Sequence, residues 1–103
     1  MDKLVDLAKV LRSKNSGPFE ITLDVLFDKA QNYRRVVESG AISRESICKL
    51  YNLMPEDITE LVFFDKGLGI KVTYNRSVSS GTTGDRDVYG AQQHAPLMGV
   101  LIP

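Results

Sequence analysis

The sequence predicts an α+β fold of two layers, in which three or four mostly antiparallel strands form a sheet with helices on one face. Apolar and polar residues alternate in residues 19–27 and again in residues 70–75, a period of two that is typical of half-buried strands. Segments with helical spacing precede and follow the first of these strands. The whole chain, residues 1–103, is short enough to form one domain.

The first segment predicts a helix that ends at a turn before Pro18. Its apolar stripe consists of Leu4, Leu7, Ala8 and Leu11. Arg12 and Lys14 would lie in its last turn, where cations interact favourably with the helix dipole. Gly17 can adopt the left-handed conformation and Pro18 cannot continue a helix, so the strand of residues 19–27 follows a clear stop.

Two helices are predicted after this strand. The apolar stripe of the first consists of Ala30, Tyr33, Val36 and Val37. This helix ends at Gly40, and Ser43 is the expected N-cap of a shorter helix, which Pro55 ends. The inward-facing residues of the shorter helix are Ile47, Leu50 and Tyr51.

The remaining sequence predicts three strands and one long loop. Residues 58–65 are apolar on both faces, which favours an interior strand, although periodicity alone leaves a helix open. A glycine-rich turn joins this strand to residues 70–75, so the two form a predicted β-hairpin. After the loop of residues 76–96, residues 97–102 predict a last strand. The predicted order is α-β-α-α-β-β-loop-β.

Composition narrows the function classes. Lys and Arg number 13, as do Asp and Glu, so no overall field attracts nucleic acid or an anionic membrane. The sequence shows neither an apolar run of about 18 residues nor the apolar core of a signal peptide, and we expect the cytoplasm. The single Cys48 excludes an intrachain disulfide framework and a multi-cysteine metal site. No cofactor is expected.

The loop of residues 76–96 is the most informative segment for function. Structureless loops longer than about 12–15 residues are mostly functional or disordered. This loop combines arginine, aspartate, glutamine, tyrosine and the only histidine of the chain with three glycines. Polar side chains on a backbone that permits close approach predict a binding loop.

Residues 79–84 favour an anion-binding nest, because their glycines let backbone N–H groups converge and their hydroxyls add donors. Arg76 and Arg86 flank the segment with positive charge. The GxxxxGK[ST] pattern of a phosphate-binding loop is missing, however. A mobile loop tip rich in small polar residues is the alternative that the composition leaves open.

Asp85, Asp87 and His94 are the metal ligands that this loop offers, since carboxylate and imidazole together suit Zn, Mn or Fe. The alternative is that the aspartates cap turns and pair with Arg76 or Arg86, while His94 binds the backbone. We favour this second interpretation and predict no metal.

Residues 89–94 carry groups for recognition or proton transfer. Gln92 and Gln93 both donate and accept hydrogen bonds, and His94 exchanges a proton near neutral pH. They suit the binding of a carboxylate or amide, or general acid–base catalysis. A hydrogen-bonded plug that ties the loop to the domain is equally consistent with the composition.

A second polar cluster, residues 12–15, precedes the turn at Gly17 and Pro18. Cationic and amide groups beside a tight turn would clamp an acidic ligand. Complementarity to the dipole of the predicted helix explains the same residues without a ligand, and residue types alone favour that explanation.

These polar segments resemble a small, uncharacterised bacterial and archaeal domain family. The similar stretches are RSKNSGPFEITLDVLF (residues 12–27), VVESGAIS, LYNLMPEDI and GDRDVYGAQQHAPL (residues 84–97). Members of this family occur beside, or fused to the C-terminus of, larger proteins similar to AtuA, which is named for acyclic terpene utilisation. The resemblance implies an AtuA-like large subunit as partner. Met98 and Gly99 depart from the family, whose members tend to carry bulkier or acidic residues there.

We therefore expect the small subunit of a two-component catabolic enzyme that acts on a carboxylic acid or its CoA thioester, with a hydratase or lyase-type step. The expected site consists of His94 and Lys14 as catalytic residues, Ser13, Asn15, Arg76, Tyr89, Gln92 and Gln93 as substrate- or anion-binding residues, and Gly17, Pro18, Gly84 and Gly90 as loop-shaping residues. A non-catalytic interaction module for the large protein is the alternative. A homo-oligomer is also open, because a small sheet has strand edges to cover.

Overall fold

A computed structural model describes residues 1–17, 19–75 and 95–103, and it confirms the α+β fold. The strands are β1 (Asp2–Lys3), β2 (Val10–Gly17), β3 (Glu20–Leu26), β4 (Ile58–Phe64), β5 (Gly69–Asn75) and β6 (Leu101–Ile102). The helices are α1 (Leu4–Leu7), α2 (Ala30–Ser39), α3 (Arg44–Tyr51) and α4 (Ala95–Met98), with a 3₁₀ turn at Pro55–Asp57. Among the described residues, no helix is both long and apolar enough to cross a lipid bilayer.

Four strands form the main sheet in the order β2-β3-β5-β4, and each neighbouring pair is antiparallel. The predicted strand around residues 20–26 and the predicted β4–β5 hairpin are both confirmed. β1 and β6 form a separate two-stranded sheet. Because β3 and β5 are the inner strands of the main sheet, they carry most of its buried residues.

One face of the main sheet, here termed the helix face, packs against the helices. Its buried residues on the two inner strands are Ile21, Leu23, Val25, Ile70, Val72 and Tyr74. Tyr33 and Val36 of α2 and Ile47 of α3 belong to the same hydrophobic cluster. Burial of each large apolar side chain contributes about 1.5–3 kcal/mol, so this layer is the main source of stability.

The opposite face of the sheet, here termed the polar face, carries charged and hydroxyl side chains, because successive residues of a strand point to opposite sides. Its polar residues are Arg12, Lys14, Glu20, Thr22, Asp24, Glu60, Lys71 and Thr73. The two faces therefore differ in chemistry: one forms the core and the other presents polar groups.

The predicted first helix is wrong beyond its first turn. α1 ends at Leu7, and residues 10–17 form β2, which pairs with β3 from Val10 opposite Leu26 to Gly17 opposite Glu20. This pairing satisfies the backbone N–H and C=O groups of the segment. The free energy of this strand pairing outweighs the local preference for a helix, because the helical pattern spans only two turns and tertiary context overrides weak local propensity.

The predicted last strand, residues 97–102, is confirmed only at its end. Ala95–Met98 forms a helical turn, and β6 has two residues that pair with β1. β1 ends where α1 begins at Leu4, although the Leu4 backbone N–H still donates to the carbonyl oxygen of Val100 at 2.8 Å. The buried side chain of Leu97 instead joins the hydrophobic cluster.

The predicted helix boundaries around residues 40–43 are confirmed. Gly40 follows α2 in the left-handed conformation, with φ of 72°. The Ser43 hydroxyl accepts a 3.1 Å hydrogen bond from the backbone N–H of Ser46, which makes it the N-cap of α3. These two local signals fix where α2 ends and α3 begins.

Candidate functional site

The β2–β3 hairpin separates the residues of the predicted anion clamp. Lys14 lies opposite Thr22 and therefore belongs to the polar face, where it is exposed. Ser13 and Asn15 lie opposite Leu23 and Ile21, which places them on the helix face, and Ser13 is buried. The strand thus presents Lys14 to solvent on one side and directs the two smaller polar residues to the other.

Lys14 differs from the other cations of the polar face in its pairing. Arg12 Nε lies 3.2 Å from Asp24 Oδ2, and Lys71 Nζ lies 3.3 Å from Glu60 Oε1. Within the described ranges, the Lys14 ammonium forms no ion pair. Lys14 is therefore the cation of this face that can bind an anion without first leaving a carboxylate.

Two threonines fill the middle of the polar face. Thr22 and Thr73 are buried, and their hydroxyl oxygens lie 3.1 Å apart. The Thr73 hydroxyl also lies 3.5 Å from Glu60 Oε1. Across the four strands the row runs Lys14, Thr22, Thr73, Glu60, so three strand spacings separate the backbones of its two charged residues by about 14 Å. Glu60 pairs instead with Lys71 on the neighbouring strand.

The turn after β2 lies at the end of the sheet where β5 ends. Gly17 lies opposite Glu20, and Glu20 lies opposite Asn75, the last described residue before position 76. A Cβ atom on Gly17 would stand 3.1 Å from Glu20 Oε1, so a larger residue there would push on this side chain. The turn after residues 12–15 therefore lies at the same end of the sheet as Asn75, which directly precedes the predicted binding loop of residues 76–96.

Tyr51 contacts described residues on either side of positions 76–94. The Tyr51 and Tyr74 rings pack with centroids 5.3 Å apart, and Tyr51 forms a hydrogen bond with the backbone of Leu97. Burial, with the nearby Tyr74 hydroxyl, raises the pKa of Tyr51 well above its ordinary value. Tyr51 therefore stays protonated and joins β5, α3 and α4.

Most predicted site residues lie outside the described residues. They are Pro18, Arg76, Gly84, Asp85, Asp87, Tyr89, Gly90, Gln92, Gln93 and His94. Their roles, including the metal alternative for Asp85, Asp87 and His94, remain predictions from the sequence. Within the part of the chain that the structure describes, no three His, Cys, Asp or Glu side chains are grouped closely enough to hold a metal ion.

An apolar groove of about 350 Å³ opens between α3 and the C-terminal segment. It is lined by Ala41, Ile42, Ser46, Ile47, Lys49, Leu50, Leu97 and Val100. Leu50 was predicted to face inward but is 38% exposed at this groove, and neighbouring α4 exposes 39% of Met98. The apolar stripe of α3 therefore has one large residue, Leu50, that the core does not cover. An apolar residue at the edge of such a stripe is the sequence signal for this groove.

Tyr33 marks a second cavity of about 350 Å³, which Arg34 and Asp65 also line. The Tyr33 hydroxyl donates a 2.7 Å hydrogen bond to Asp65 Oδ1. Burial, together with the hydrogen bond and the negative charge of Asp65, raises the pKa of Tyr33 to about 12. The sequence predicted Tyr33 only as a core residue. Its hydroxyl is a donor held at the border of that core.

Comparison with known proteins places the chain in one family and adds no described function. No curated protein and no solved structure is significantly similar to it. A family model described as a domain of unknown function, DUF4387, matches residues 4–101. This match covers nearly all the strands and helices described above, and the chain therefore belongs to the DUF4387 family.

Proposed function

We propose that this chain is the small subunit of a two-component catabolic enzyme whose large subunit is an AtuA-like protein. The assembly would act on a carboxylic acid or its CoA thioester through a hydratase or lyase-type step. One observation of the structure supports the subunit part of this proposal: the apolar groove between α3 and the C-terminal segment, whose lining includes the exposed side chain of Leu50.

The groove supports docking because its lining is almost entirely apolar while it remains open to solvent. Ile42, Ile47 and Leu97 form its buried floor, and Leu50 stands at its edge. A partner side chain placed there would bury Leu50. Removing this apolar surface from water would contribute favourable free energy to binding. The balanced charge of the chain, 13 cationic against 13 acidic residues, adds no long-range repulsion to docking.

Lys14 supports the proposed substrate class. Its ammonium is exposed on the polar face and unpaired within the described ranges, so a carboxylate or a CoA phosphate can bind it directly. His94 is the acid–base group of the proposal, Arg76 a second anion-binding group and Gln93 an orienting group. Asn15, for which the sequence predicted an orienting role, lies on the opposite face of β2 from Lys14. These assignments to His94, Arg76 and Gln93 come from the sequence.

Co-expression with an AtuA-like protein tests the subunit claim. Size-exclusion chromatography with light scattering should give a complex that contains both chains at a fixed ratio. A small chain that always elutes at its own mass of 11.5 kDa, whatever the concentration of the large protein, would reject the proposed partnership.

A lysine series in the assembled complex tests the role of Lys14. Lys14→Ala should lower turnover by roughly 10- to 100-fold, because a charge-assisted hydrogen bond contributes about 1.5–3 kcal/mol. Lys14→Arg should retain most of the activity, and Lys9→Ala, which removes an exposed cation next to β2, should change little. Equal rates in Lys14→Ala and Lys9→Ala would remove Lys14 from the site, and His94→Ala tests the acid–base group in the same assay.

The alternative function is a non-catalytic interaction module for the same large protein. One observation favours it: β2 sends Lys14 to one face of the sheet and Ser13 and Asn15 to the other, so the predicted clamp does not form on a single surface. Under this alternative, both lysine variants and His94→Ala leave turnover of the preformed complex unchanged.

A further inference from the structure

We propose that two copies of this chain associate edge to edge through β4, so that their four-stranded sheets form one continuous antiparallel sheet around a two-fold axis. β4 contributes no residue to the lining of the apolar groove, and the inference does not depend on the proposed function. It rests on a difference between the two edge strands of the sheet.

The edge formed by β2 is protected against pairing. Arg12 and Lys14 are exposed on it, and its register shifts between Asn15 and Gly17. Charged side chains and irregular backbone are the features by which natural sheets prevent another strand from adding to an edge. β2 is therefore a poor template for a second chain.

The edge formed by β4 lacks this protection where the strand is regular. Its irregularity is confined to Ile58–Glu60, and residues 60–64 pair with β5 without interruption. Leu61 and Val62 are half-buried, and Phe63 and Phe64 are 37% and 48% exposed. Among the described strands, β4 has a neighbour on one side only. A hydrophobic edge strand with free backbone groups is a site for strand addition.

A second copy fits this edge in the register centred on Val62. A two-fold axis there places Val62 opposite Val62 on the polar face and Leu61 opposite Phe63 twice on the helix face, so each apolar side chain meets an apolar partner. The pairing uses residues 60–64, which form the regular part of the strand. Cross-strand apolar pairs of this type contribute about 0.2–1 kcal/mol each, in addition to the backbone hydrogen bonds.

Charge also favours a copy of the same chain. In this register Glu60 lies opposite Phe64 of the second copy, and the turn that follows Phe64 carries Lys66. Glu60 already lies 3.3 Å from Lys71 of its own chain, so Lys66 of the second copy would add a second cation near this carboxylate. Lys66 is exposed and, within the described ranges, forms no ion pair. The two-fold symmetry repeats this arrangement. Because each chain has zero net charge, no long-range repulsion opposes association.

Sedimentation velocity of the isolated chain tests the proposal. From about 1 to about 500 μM the mass should rise from 11.5 kDa toward twice that value, a range suited to the small interface that one strand pair buries. Hydrogen exchange at high concentration should show slower exchange for the amides of β4 and unchanged exchange for those of β2. A chain that stays at 11.5 kDa throughout, or a dimer in which β4 gains no protection, would overturn it.

Two variants and a control locate the interface. Phe64→Glu should weaken the dimer at least tenfold, because it places a second carboxylate opposite Glu60 of the other copy. Lys66→Glu should weaken it several-fold while altering only an exposed turn residue. Phe19→Glu, which adds the same charge at a residue 54% exposed beside the opposite edge, should leave the dimer intact. Loss of the dimer in Phe19→Glu alone would place the interface on another surface, and protection of β4 only when an AtuA-like protein is added would assign the edge to another occupant; either result would contradict the proposal.

Discussion

The Tyr33 hydroxyl shows how a single residue can couple stability to pH. Its ring is buried and packs edge to face on Phe27, with centroids 5.8 Å apart, while its oxygen reaches Asp65. Burial disfavours the phenolate, and the carboxylate of Asp65 disfavours it further. The folded chain therefore holds this proton more tightly than the unfolded chain does.

The free energy of unfolding should fall as pH rises from about 10 to about 12. The unfolded chain releases the Tyr33 proton near the ordinary pKa of 10.0, whereas the folded chain retains it to about 12, so this contribution is complete below pH 10 and is lost above it. Urea unfolding across this range measures the slope. Tyr33→Phe should flatten it while Tyr51 titrates equally in both proteins, and identical slopes would contradict the assignment.

The end of helix α2 is determined by a single residue, Gly40. Gly40 ends α2 at φ of 72°, a conformation that costs a residue with a Cβ atom about 1 kcal/mol. No heavy atom lies within 4 Å of a Cβ atom built at this position, so the cost is conformational and not steric.

Gly40→Ala should therefore lower the free energy of unfolding by about 1 kcal/mol. Gly99→Ala is a matched control, because a Cβ atom at Gly99 also meets nothing within 4 Å and its φ is outside the left-handed region. Thermal and urea unfolding of both variants give the comparison. Equal destabilisation by the two substitutions would show that the left-handed backbone at Gly40 is not the cause.

β2 explains why part of the fold could not be predicted. On its helix face, Ser13 and Asn15 occupy the positions at which an ordinary strand shows apolar residues, so the alternation that identified β3 is hidden. A helical stripe ending at Leu11 was the stronger local pattern. The same misassignment placed Lys14 in a cluster with Ser13 and Asn15, although a strand directs them to opposite faces.

The apolar groove was beyond sequence reasoning for a different reason. It forms where α3 meets residues 97–100, which are distant in the chain, and its shape depends on how those elements pack. The extra apolar residue of α3, Leu50, was visible in the sequence, but its exposure was not. Local patterns can therefore predict the layers of this domain, whereas its surfaces require tertiary structure.

The described part of this neutral chain presents three chemically distinct surfaces. They are the polar face, where Lys14 forms no ion pair with another described residue, the apolar groove at α3, and the edge formed by β4. Two of the three expose apolar side chains to solvent, which suits a protein that works in an assembly. We propose that the groove is the surface that binds the large subunit.

The most direct test of that claim is the dissociation constant of the complex with an AtuA-like protein, measured by calorimetry for three versions of the chain. Leu50→Lys, at the edge of the groove, should weaken binding at least tenfold relative to the unaltered chain. Met54→Lys, at a residue 61% exposed and outside the groove lining, should bind as the unaltered chain does. Equal weakening by both variants, or no binding by the unaltered chain, would show that the groove does not bind the large subunit.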